Sequence, residues 1–191
     1  MRVGVFALQG DVREHIRTLT AMGVESVEVR NAEQLSGVDG LILPGGESTT
    51  ISKLIDIFGL RKSLTDFIAA GKPVFGTCAG MIMLAIDVLD AASGQRSLEA
   101  MDISVRRNAF GSQLDSFEAV LEFDGKPANV AFIRAPIVER VGAGVEVLSK
   151  LPNGEVVAVR SGNLLATAFH PELTGDNSIH EYFVDMVSKS L

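Results

Sequence analysis

The segment Pro73-Val-Phe-Gly-Thr-Cys-Ala-Gly-Met81 passes from a short apolar run through two glycines into a second apolar run. The run "PVFGT" predicts a buried strand, and "AGMIMLAIDVL" predicts a helix. Gly76, Cys78 and Gly80 form the pattern G-x-C-x-G, the sulfur counterpart of the G-x-S-x-G nucleophile elbow, in which glycines keep bulky side chains away from a tight strand-to-helix turn. Two interpretations of Cys78 remain open from this motif: a nucleophile on that turn, or a small buried hydrophobic residue.

The sequence around the elbow alternates between short apolar runs and longer amphipathic runs. Strands are predicted at residues 2–8, 24–29 and 39–44, and helices at residues 11–23, 48–58 and 60–71. Buried strands that alternate with helices are typical of a parallel sheet covered on both faces. After residue 100 the pattern changes to short strands separated by turns, followed by a closing amphipathic helix at residues 177–191. We therefore expect one domain over residues 1–191. It is an α/β fold of three layers, flavodoxin-like, with a mostly parallel central sheet flanked by helices and additional antiparallel strands in the C-terminal half.

Composition narrows the function. The formal net charge of -7 disfavours a nucleic-acid partner, which requires a basic face. No apolar run reaches the length of a membrane span, so we expect no membrane partner. The single cysteine forms no internal disulfide, and a reducing cytoplasm is the expected location.

The three histidines differ in their surroundings. His15 lies among charged residues and His180 beside Glu181, so both are expected on solvated helix faces. His170 begins His-Pro-Glu after an apolar run, and the proline disfavours a helical conformation at His170. In an extended segment residues i and i+2 face the same way, so Glu172 could orient the His170 ring and leave its other nitrogen for Cys78. The alternative is a histidine at a strand end with an incidental acid.

The segment "LILPGGESTT", residues 41–50, places another glycine pair directly after a strand. Ser48 and Thr49 are expected to cap the helix that follows. Such a loop can direct backbone N–H groups at an anion, but it lacks the lysine of a nucleotide-binding P-loop. An oxyanion hole or a substrate carboxylate site suits it better than a plain tight turn, for which the charge of Glu47 is unnecessary.

Two arginines, Arg107 and Arg134, complete the candidates. Arg134 directly follows an apolar strand, and arginine is suited to bidentate capture of a carboxylate. Structural ion pairs with Asp115, Glu118 or Glu139 are an equally good interpretation of either arginine.

The order of these motifs resembles that of the class I (triad) glutamine amidotransferases, and within them the family of glutaminase subunits of pyridoxal 5′-phosphate synthases. The resemblance is carried by "ALQGDVREH", "LPGGESTT", "FGTCAGMI", "RRNAFGSQLDSFE", "FIRAP" and "FHPELT". Two departures are Ser112, where family members often have arginine, and "SLEAMD" in place of a more glycine-rich connection.

The resemblance implies a hydrolysis of L-glutamine to L-glutamate and ammonia through a thioester. Cys78 would attack the side-chain amide, His170 would act as base and then acid, and Glu172 would orient His170. Glutamine would be held by Gly46, Glu47, Ser48, Arg107, Ile133 and Arg134. The Gly45-Gly46 backbone, chiefly Gly46, and the Ala79 amide would form the oxyanion hole, with Gln9 near that hole and the partner surface.

The resemblance also implies a partner. A (βα)8-barrel synthase subunit would receive the ammonia, in a 12:12 assembly whose docking activates the glutaminase. Neither a metal nor a cofactor is expected, because pyridoxal 5′-phosphate is the product of the complex. The alternative is a class I glutaminase that serves a different ammonia-dependent synthase. An intact Cys-His-Glu set makes a non-catalytic interaction subunit the weaker interpretation, and a cysteine peptidase or chaperone would have no use for the Gly-Gly loop and two arginines.

Overall fold

The computed structural model describes residues 1–109 and 116–191. In these residues the strands are β1 (Arg2–Phe6), β2 (Glu25–Val29), β3 (Gly40–Leu43), β4 (Val74–Thr77), β5 (Ala85–Val88), β6 (Met101–Arg106), β7 (Ser116–Phe123), β8 (Lys126–Ile133), β9 (Ile137–Val141), β10 (Glu146–Lys150), β11 (Val156–Ser161) and β12 (Leu164–Thr167). The helices are α1 (Val12–Ala21), α2 (Ala32–Ser36), α3 (Ser48–Ile57), α4 (Arg61–Ala69), α5 (Ala79–Leu84) and α6 (Ser178–Lys189), with a 3₁₀ turn at Pro171–Leu173. No helix among the described residues is long and apolar enough to cross a membrane.

The main sheet has ten strands in the order β2-β1-β3-β4-β12-β11-β9-β6-β5, with β10 also paired to β11. Within this order β2, β1, β3, β4 and β12 run parallel to one another. Strands β9, β10 and β12 are all antiparallel to β11, and β7 and β8 form a separate antiparallel hairpin. This confirms the α/β prediction of a mostly parallel central sheet with antiparallel strands added by the C-terminal half.

The central strands are buried along their whole length, which is why their sequences do not alternate. Every residue of β3, β4 and β12 is buried. A strand closed on both faces requires a covering layer on each side. The carboxyl ends of β1, β3, β4 and β12 lie side by side in this sheet, so the loops that follow them meet at one edge.

The predicted helix at residues 79–89 is wrong in its second half. Helix α5 ends at Leu84, and Ala85 turns to an extended conformation with ψ of 143°. Residues Ala85–Val88 then form β5, which pairs in parallel with β6. A short apolar run has no periodicity that separates strand from helix, and the partner strand that decides it lies later in the chain. The short helix α2 and the strand β9 were not predicted either.

Candidate active site

The elbow at Cys78 has the strained backbone that the glycine spacing predicts. Cys78 has φ of 48° and ψ of -102°, between the end of β4 and the start of α5. Its backbone N–H donates to Thr167 O at 2.8 Å, which ties the turn to β12. A Cβ atom on Gly76 would overlap the backbone of Gly80, and one on Gly80 would overlap the carbonyl of Leu43. The glycines are therefore required by close backbone packing around a nucleophile-type turn.

The Cys78 side chain is nearly enclosed, with the residue 7% exposed. Its Sγ lies 3.9 Å from the carbonyl oxygen of Ile133, the last residue of β8. This contact brings the end of β8, and with it Ile133 and Arg134, to the elbow. Ala79 begins α5 directly after the cysteine, so its N–H belongs to the first turn of that helix and lacks a partner within it.

His170 and Glu172 meet beside the elbow, as predicted. His170 Nδ1 lies 2.8 Å from Glu172 Oε1, and the Cys78 side chain is near enough to raise the pKa of His170. Because Nδ1 faces Glu172, the other ring nitrogen is the one left for the thiol. The order nucleophile, imidazole and carboxylate is the arrangement of a catalytic triad.

The backbone route to this contact differs from the extended segment predicted. His170 itself is extended, with φ of -107° and ψ of 91°, but Pro171–Leu173 is a 3₁₀ turn. Proline restricts the residue before it, yet its own fixed φ suits the first position of a helical turn. The two side chains therefore meet within one turn rather than along a strand.

The electrostatics around His170 favour a protonated imidazole. Burial alone would lower the pKa of His170, but the hydrogen bonds and charge interactions with Cys78 and Glu172 outweigh it and raise the pKa to about 10. Burial raises the pKa of Glu172, and the contact with His170 partly offsets that increase. The site therefore holds a proton on His170 at neutral pH, where it can be given to a leaving group.

The Gly45-Gly46 loop lies against the His170 ring. A Cβ atom on Gly45 would overlap that ring, and one on Gly46 would overlap the Gln9 side chain. The Gly45 carbonyl accepts from Asp11 N at 3.0 Å, and Gln9 Oε1 accepts from Glu47 N at 2.9 Å. The segment after β1 thus holds the loop, and Gln9 contacts the loop through Glu47 N.

Glu47, and not Ser48 or Thr49, caps helix α3. The Glu47 side chain accepts from Thr49 N at 3.3 Å and Thr50 N at 2.8 Å. These hydrogen bonds outweigh the effect of burial and lower the pKa of Glu47. The Ser48 side chain is buried and its Oγ accepts from Gln95 Nε2 at 3.0 Å. The charge of Glu47 therefore has a structural use, and only the backbone of Ser48 could face a ligand.

Within the described residues, the two arginines do not form the alternative ion pairs. Arg107 Nη1 donates to Gln95 Oε1 at 2.8 Å, and its Nη2 lies 3.7 Å from Glu47 Oε1. Glu139 pairs instead with Arg106, at 2.5 Å. Arg134 is exposed and has φ of 43°. Asp115 and Ser112 lie outside the described residues.

Asp11 was not predicted as a site residue, although it lies within the quoted N-terminal motif. Its Oδ2 is 3.4 Å from His170 Nδ1, and burial raises its pKa while the nearby His170 opposes the increase. Among the described residues, Asp11, His170 and Glu172 are the group whose ligand atoms lie close enough to hold a metal ion, within 4.8 Å of one another. The same His170 nitrogen already bonds Glu172. Asp11 lies just past the carboxyl end of the parallel strand β1, and this position is the signal that could have identified it as a site residue.

His15 and His180 are buried, contrary to the prediction that both face solvent. Each is 0% exposed. His15 lies four residues before buried Leu19 on α1, and His180 three residues before buried Phe183 on α6. Helical residues spaced in this way share a face, so the apolar periodicity gave the correct answer where the charged neighbours did not.

The chain matches the model of the SNO glutamine amidotransferase family over residues 5–189. It is 58% identical over 189 residues to the pyridoxal 5′-phosphate synthase subunit PdxT of Dehalococcoides mccartyi, with 97% of each chain covered. The subunit of the same name from Salinispora tropica is 56% identical over 196 residues, which cover 99% of this chain and 98% of that one.

Solved structures give the same result for the fold. A crystal structure of a glutamine amidotransferase has a TM-score of 0.92 and 46% identity, and the match covers 97% of this chain and 98% of that chain. PurLQS from Thermotoga maritima has a TM-score of 0.64 with 16% identity over 99% of this chain and 96% of that chain, a likeness of fold alone.

Proposed function

The chain belongs to the SNO glutamine amidotransferase family, and from this we propose that it is the glutaminase subunit of a pyridoxal 5′-phosphate synthase. It hydrolyses L-glutamine to L-glutamate and ammonia and supplies the ammonia for vitamin B6 synthesis. The observation that carries the proposal is the arrangement of His170 between Cys78 and Glu172, with a hydrogen bond to Glu172.

The chemistry follows from the protonation of this arrangement. His170 holds the proton taken from the Cys78 thiol; Sγ attacks the side-chain amide carbon of glutamine, and the amide oxygen becomes an oxyanion. His170 then donates its proton to the amide nitrogen, the C–N bond breaks, ammonia leaves, and a thioester remains. Neutral His170 next takes a proton from water, whose oxygen attacks the thioester carbon; the C–S bond then breaks, which releases glutamate and regenerates Cys78. Glu172 stabilises the imidazolium before ammonia leaves and again after the attack by water.

We assign the oxyanion hole to the N–H groups of Gly46 and Ala79. Support comes from their positions, since the Gly45-Gly46 loop lies against the His170 ring and Ala79 directly follows the nucleophile. Two preorganised N–H donors are the usual means of stabilising a tetrahedral oxyanion. The reaction uses no metal or cofactor, since thiolate, imidazole and N–H groups supply every role.

We assign the glutamine head group to the residues that surround the elbow. They are Gly46, Glu47, Ser48, Arg107, Ile133 and Arg134. The Cys78–Ile133 contact supports the inclusion of the β8 end, where the exposed guanidinium of Arg134 is suited to the α-carboxylate. Glu47 is a suitable acceptor for the α-ammonium group, although it also caps α3.

The partner follows from the family resemblance. The homologues are named as subunits of a synthase, and we propose a (βα)8-barrel synthase subunit as the acceptor of ammonia, in a 12:12 complex whose docking activates the glutaminase. Gln9 contacts the Gly45-Gly46 loop, so a partner that docks at Gln9 could change the conformation of that loop. We also propose that residues 1–191 form one domain, supported by a continuous hydrophobic core, and that the reaction takes place in the reducing cytoplasm.

The test is the release of ammonia from glutamine, measured on the purified chain with and without the barrel subunit. We expect slow hydrolysis alone, much faster hydrolysis in the complex, and none from Cys78→Ala, which should still bind the partner. Hydrolysis by Cys78→Ala at the wild-type rate would overturn the mechanism. Ammonium salt should support the synthase without this chain. Glutamine hydrolysis without synthase activity in the complex would favour the alternative, a class I glutaminase that serves a different ammonia-dependent synthase.

A further inference from the structure

Two buried histidines that the proposed reaction does not use lie directly behind the triad. His15 Nδ1 is 2.9 Å from His180 Nε2, and His15 Nε2 is 3.2 Å from Thr77 Oγ1. The same Nε2 lies 3.6 Å from Glu172 Oε1, with both side chains 0% exposed. The residues His180, His15, Glu172 and His170 thus form a continuous buried series that ends at Cys78.

The surroundings of the two rings select their tautomers. Burial and the neighbouring His180 and His170 lower the pKa of His15, and burial lowers the pKa of His180 to about 4, so both rings are neutral at pH 7. One proton lies between His15 Nδ1 and His180 Nε2. If His15 supplied it, the bare lone pair of His15 Nε2 would face the Glu172 carboxylate, and His180 Nδ1 would be a buried N–H donor.

The opposite assignment satisfies both ends. His180 Nε2–H then donates to His15 Nδ1, and His15 Nε2–H points toward Thr77 Oγ1 and the carboxylate. His180 Nδ1, which has no hydrogen-bond partner among the described residues, is left as an unprotonated acceptor. An unpaired buried acceptor is better tolerated than an unpaired donor. The ring of Phe75 packs edge-on against both imidazoles, which restricts their rotation.

Packing does not require two polar rings here. Apolar side chains of similar volume would avoid the unpaired nitrogen of His180, and buried polar pairs are often less favourable than such replacements. The neighbouring Glu172 carboxylate is a group on which the histidine pair can act. Its Oε2 is buried and has no hydrogen-bond partner among the described residues, so few groups fix the carboxylate apart from His170.

We propose that His15 is a positioning residue of the triad: its Nε2–H, oriented by His180, holds the Glu172 carboxylate against His170. The inference deepens the proposed glutaminase function and rests on it. At 3.6 Å the contact is too long for a good hydrogen bond. In a dry interior, however, an N–H dipole directed at a carboxylate still stabilises the charged form and its orientation. The other groups near His170 are Cys78 and Asp11.

The kinetic test compares two replacements of His15 in the full chain with its partner. His15→Phe keeps the ring shape and removes the N–H, whereas the amide nitrogen of His15→Gln occupies the place of Nε2. We expect His15→Phe to lower kcat about tenfold with little change in KM for glutamine, as loss of an outer-sphere partner does at metal sites. The alkaline limb of the pH profile of kcat/KM should move to lower pH in this variant. The reason is that a Glu172 carboxylate held less firmly stabilises the His170 imidazolium less and so lowers the pKa of His170. His15→Gln should recover part of both effects.

Two further variants separate positioning from stability. Leu19→Ala removes an equally buried side chain four residues along α1 and should lower the melting temperature without moving the pH profile. His180→Leu leaves His15 in place without its orienting donor and should move the profile in the same direction as His15→Phe. If His15→Phe does not fold, His180→Leu decides the matter. An unmoved alkaline limb in the variants that fold would overturn the proposal.

A second readout needs no glutaminase activity. The chain has three histidines, so ¹⁵N-histidine labelling of the full chain gives three assignable rings in long-range proton–nitrogen spectra. We expect protonated Nε2 and bare Nδ1 on both His15 and His180, and a lower titration midpoint of His170 in His15→Phe. A proton on Nδ1 of His15 would overturn the proposal. These results combined with no glutamine hydrolysis would refute the proposed function and leave the positioning contact intact.

Discussion

His170 Nδ1 and Glu172 Oε1 lie 2.8 Å apart in a site that is almost closed to solvent. A buried carboxylate next to an imidazole stabilises its protonated form, and this is one of the interactions that raise the pKa of His170 to about 10. Together with Cys78, the contact therefore sets the pH range over which the imidazolium can protonate the amide nitrogen that leaves as ammonia.

Replacement of Glu172 by glutamine should shift the pH dependence of the enzyme. The side-chain amide of Glu172→Gln would retain an acceptor for His170 Nδ1–H but lose the negative charge, so the pKa of His170 should fall and the alkaline limb of kcat/KM should move to lower pH. We expect a loss of about tenfold in kcat, against about 10² to 10⁴ for His170→Asn, which removes the proton donor itself. Steady-state kinetics between pH 6 and about 10 would measure both. An alkaline limb identical to that of the wild type would contradict the assigned role of Glu172.

The glycine at position 45 should not tolerate a methyl group. A Cβ atom there would overlap the His170 ring, which is itself held by Glu172 and cannot move without breaking the triad. We expect Gly45→Ala to lose at least about tenfold in kcat and about 1–3 kcal/mol of unfolding free energy, the usual effect of overpacking. Denaturant unfolding and the ammonia assay would measure these.

Gly37→Ala is the matched control for this substitution. Gly37 has φ of -90°, and the nearest atom to an added Cβ is 3.6 Å away. Alanine should fit and raise the unfolding free energy by about 0.4–1 kcal/mol by restricting the unfolded chain, with unchanged kinetics. If both alanines behaved alike, the close approach of Gly45 to His170 would not be the cause.

Most of the site could be predicted because its residues lie in short sequence motifs that each follow a strand. The G-x-C-x-G elbow, the Gly-Gly loop and His170-Pro-Glu each follow a buried strand, and parallel strands bring such loops to one edge of the sheet. Cys78, His170 and Gly46 therefore meet without any knowledge of side-chain packing. The order of the first strands and helices was predictable in part because proline lies beside buried strands, as Pro44 does after β3 and Pro73 before β4.

Features that depend on tertiary partners could not be predicted locally. Strand β5 exists because β6 pairs with it, and its residues alone fit a helix as well. Glu47 caps α3 because the loop presents its side chain to Thr49 and Thr50. The burial of His15 could have been predicted from its spacing to Leu19, but its contact with His180 joins the two ends of the chain and has no local signal.

Arg134 should show an opposition between stability and substrate binding. Its φ of 43° is strained for arginine, a conformation that costs about 1–2 kcal/mol outside glycine. Arg134→Gly removes that strain but adds unfolded-state entropy, so we expect an unfolding free energy unchanged or raised by up to about 1 kcal/mol. The KM for glutamine should rise because the guanidinium proposed for its carboxylate is lost. Denaturant unfolding and initial-rate kinetics would measure the two effects.

Glu99→Gly is the control for Arg134→Gly. Glu99 is exposed, has φ of 53° and lies outside the residues assigned to glutamine. It should give the same small change in stability with an unchanged KM. A KM that also stays unchanged in Arg134→Gly would remove this arginine from the binding site and leave Arg107 as the candidate for the carboxylate.

Asp176 should make stability depend on acid pH. Its carboxylate accepts from Asn129 N at 2.8 Å and from Ser178 N at 2.9 Å, and so joins β8 to the start of α6. Burial alone would raise the pKa of Asp176, but these hydrogen bonds lower it from 3.8 to about 2. A carboxyl group whose pKa is lower in the folded state stabilises the fold above its unfolded value. That contribution is lost as the pH falls from 3.8 through about 2.

The substitution Asp176→Asn should therefore lower the unfolding free energy at pH 7, by about 1 kcal/mol at this partly exposed position. The difference from the wild type should shrink below pH 3.8 and vanish only below about pH 2, where the wild-type side chain also becomes neutral in the folded state. Asp185→Asn removes an exposed carboxylate from α6 and should show no such convergence. Urea unfolding at a series of pH values would measure both variants. A constant difference from pH 7 down to about 2 would mean that the geometry of the side chain, rather than its charge, holds β8 to α6.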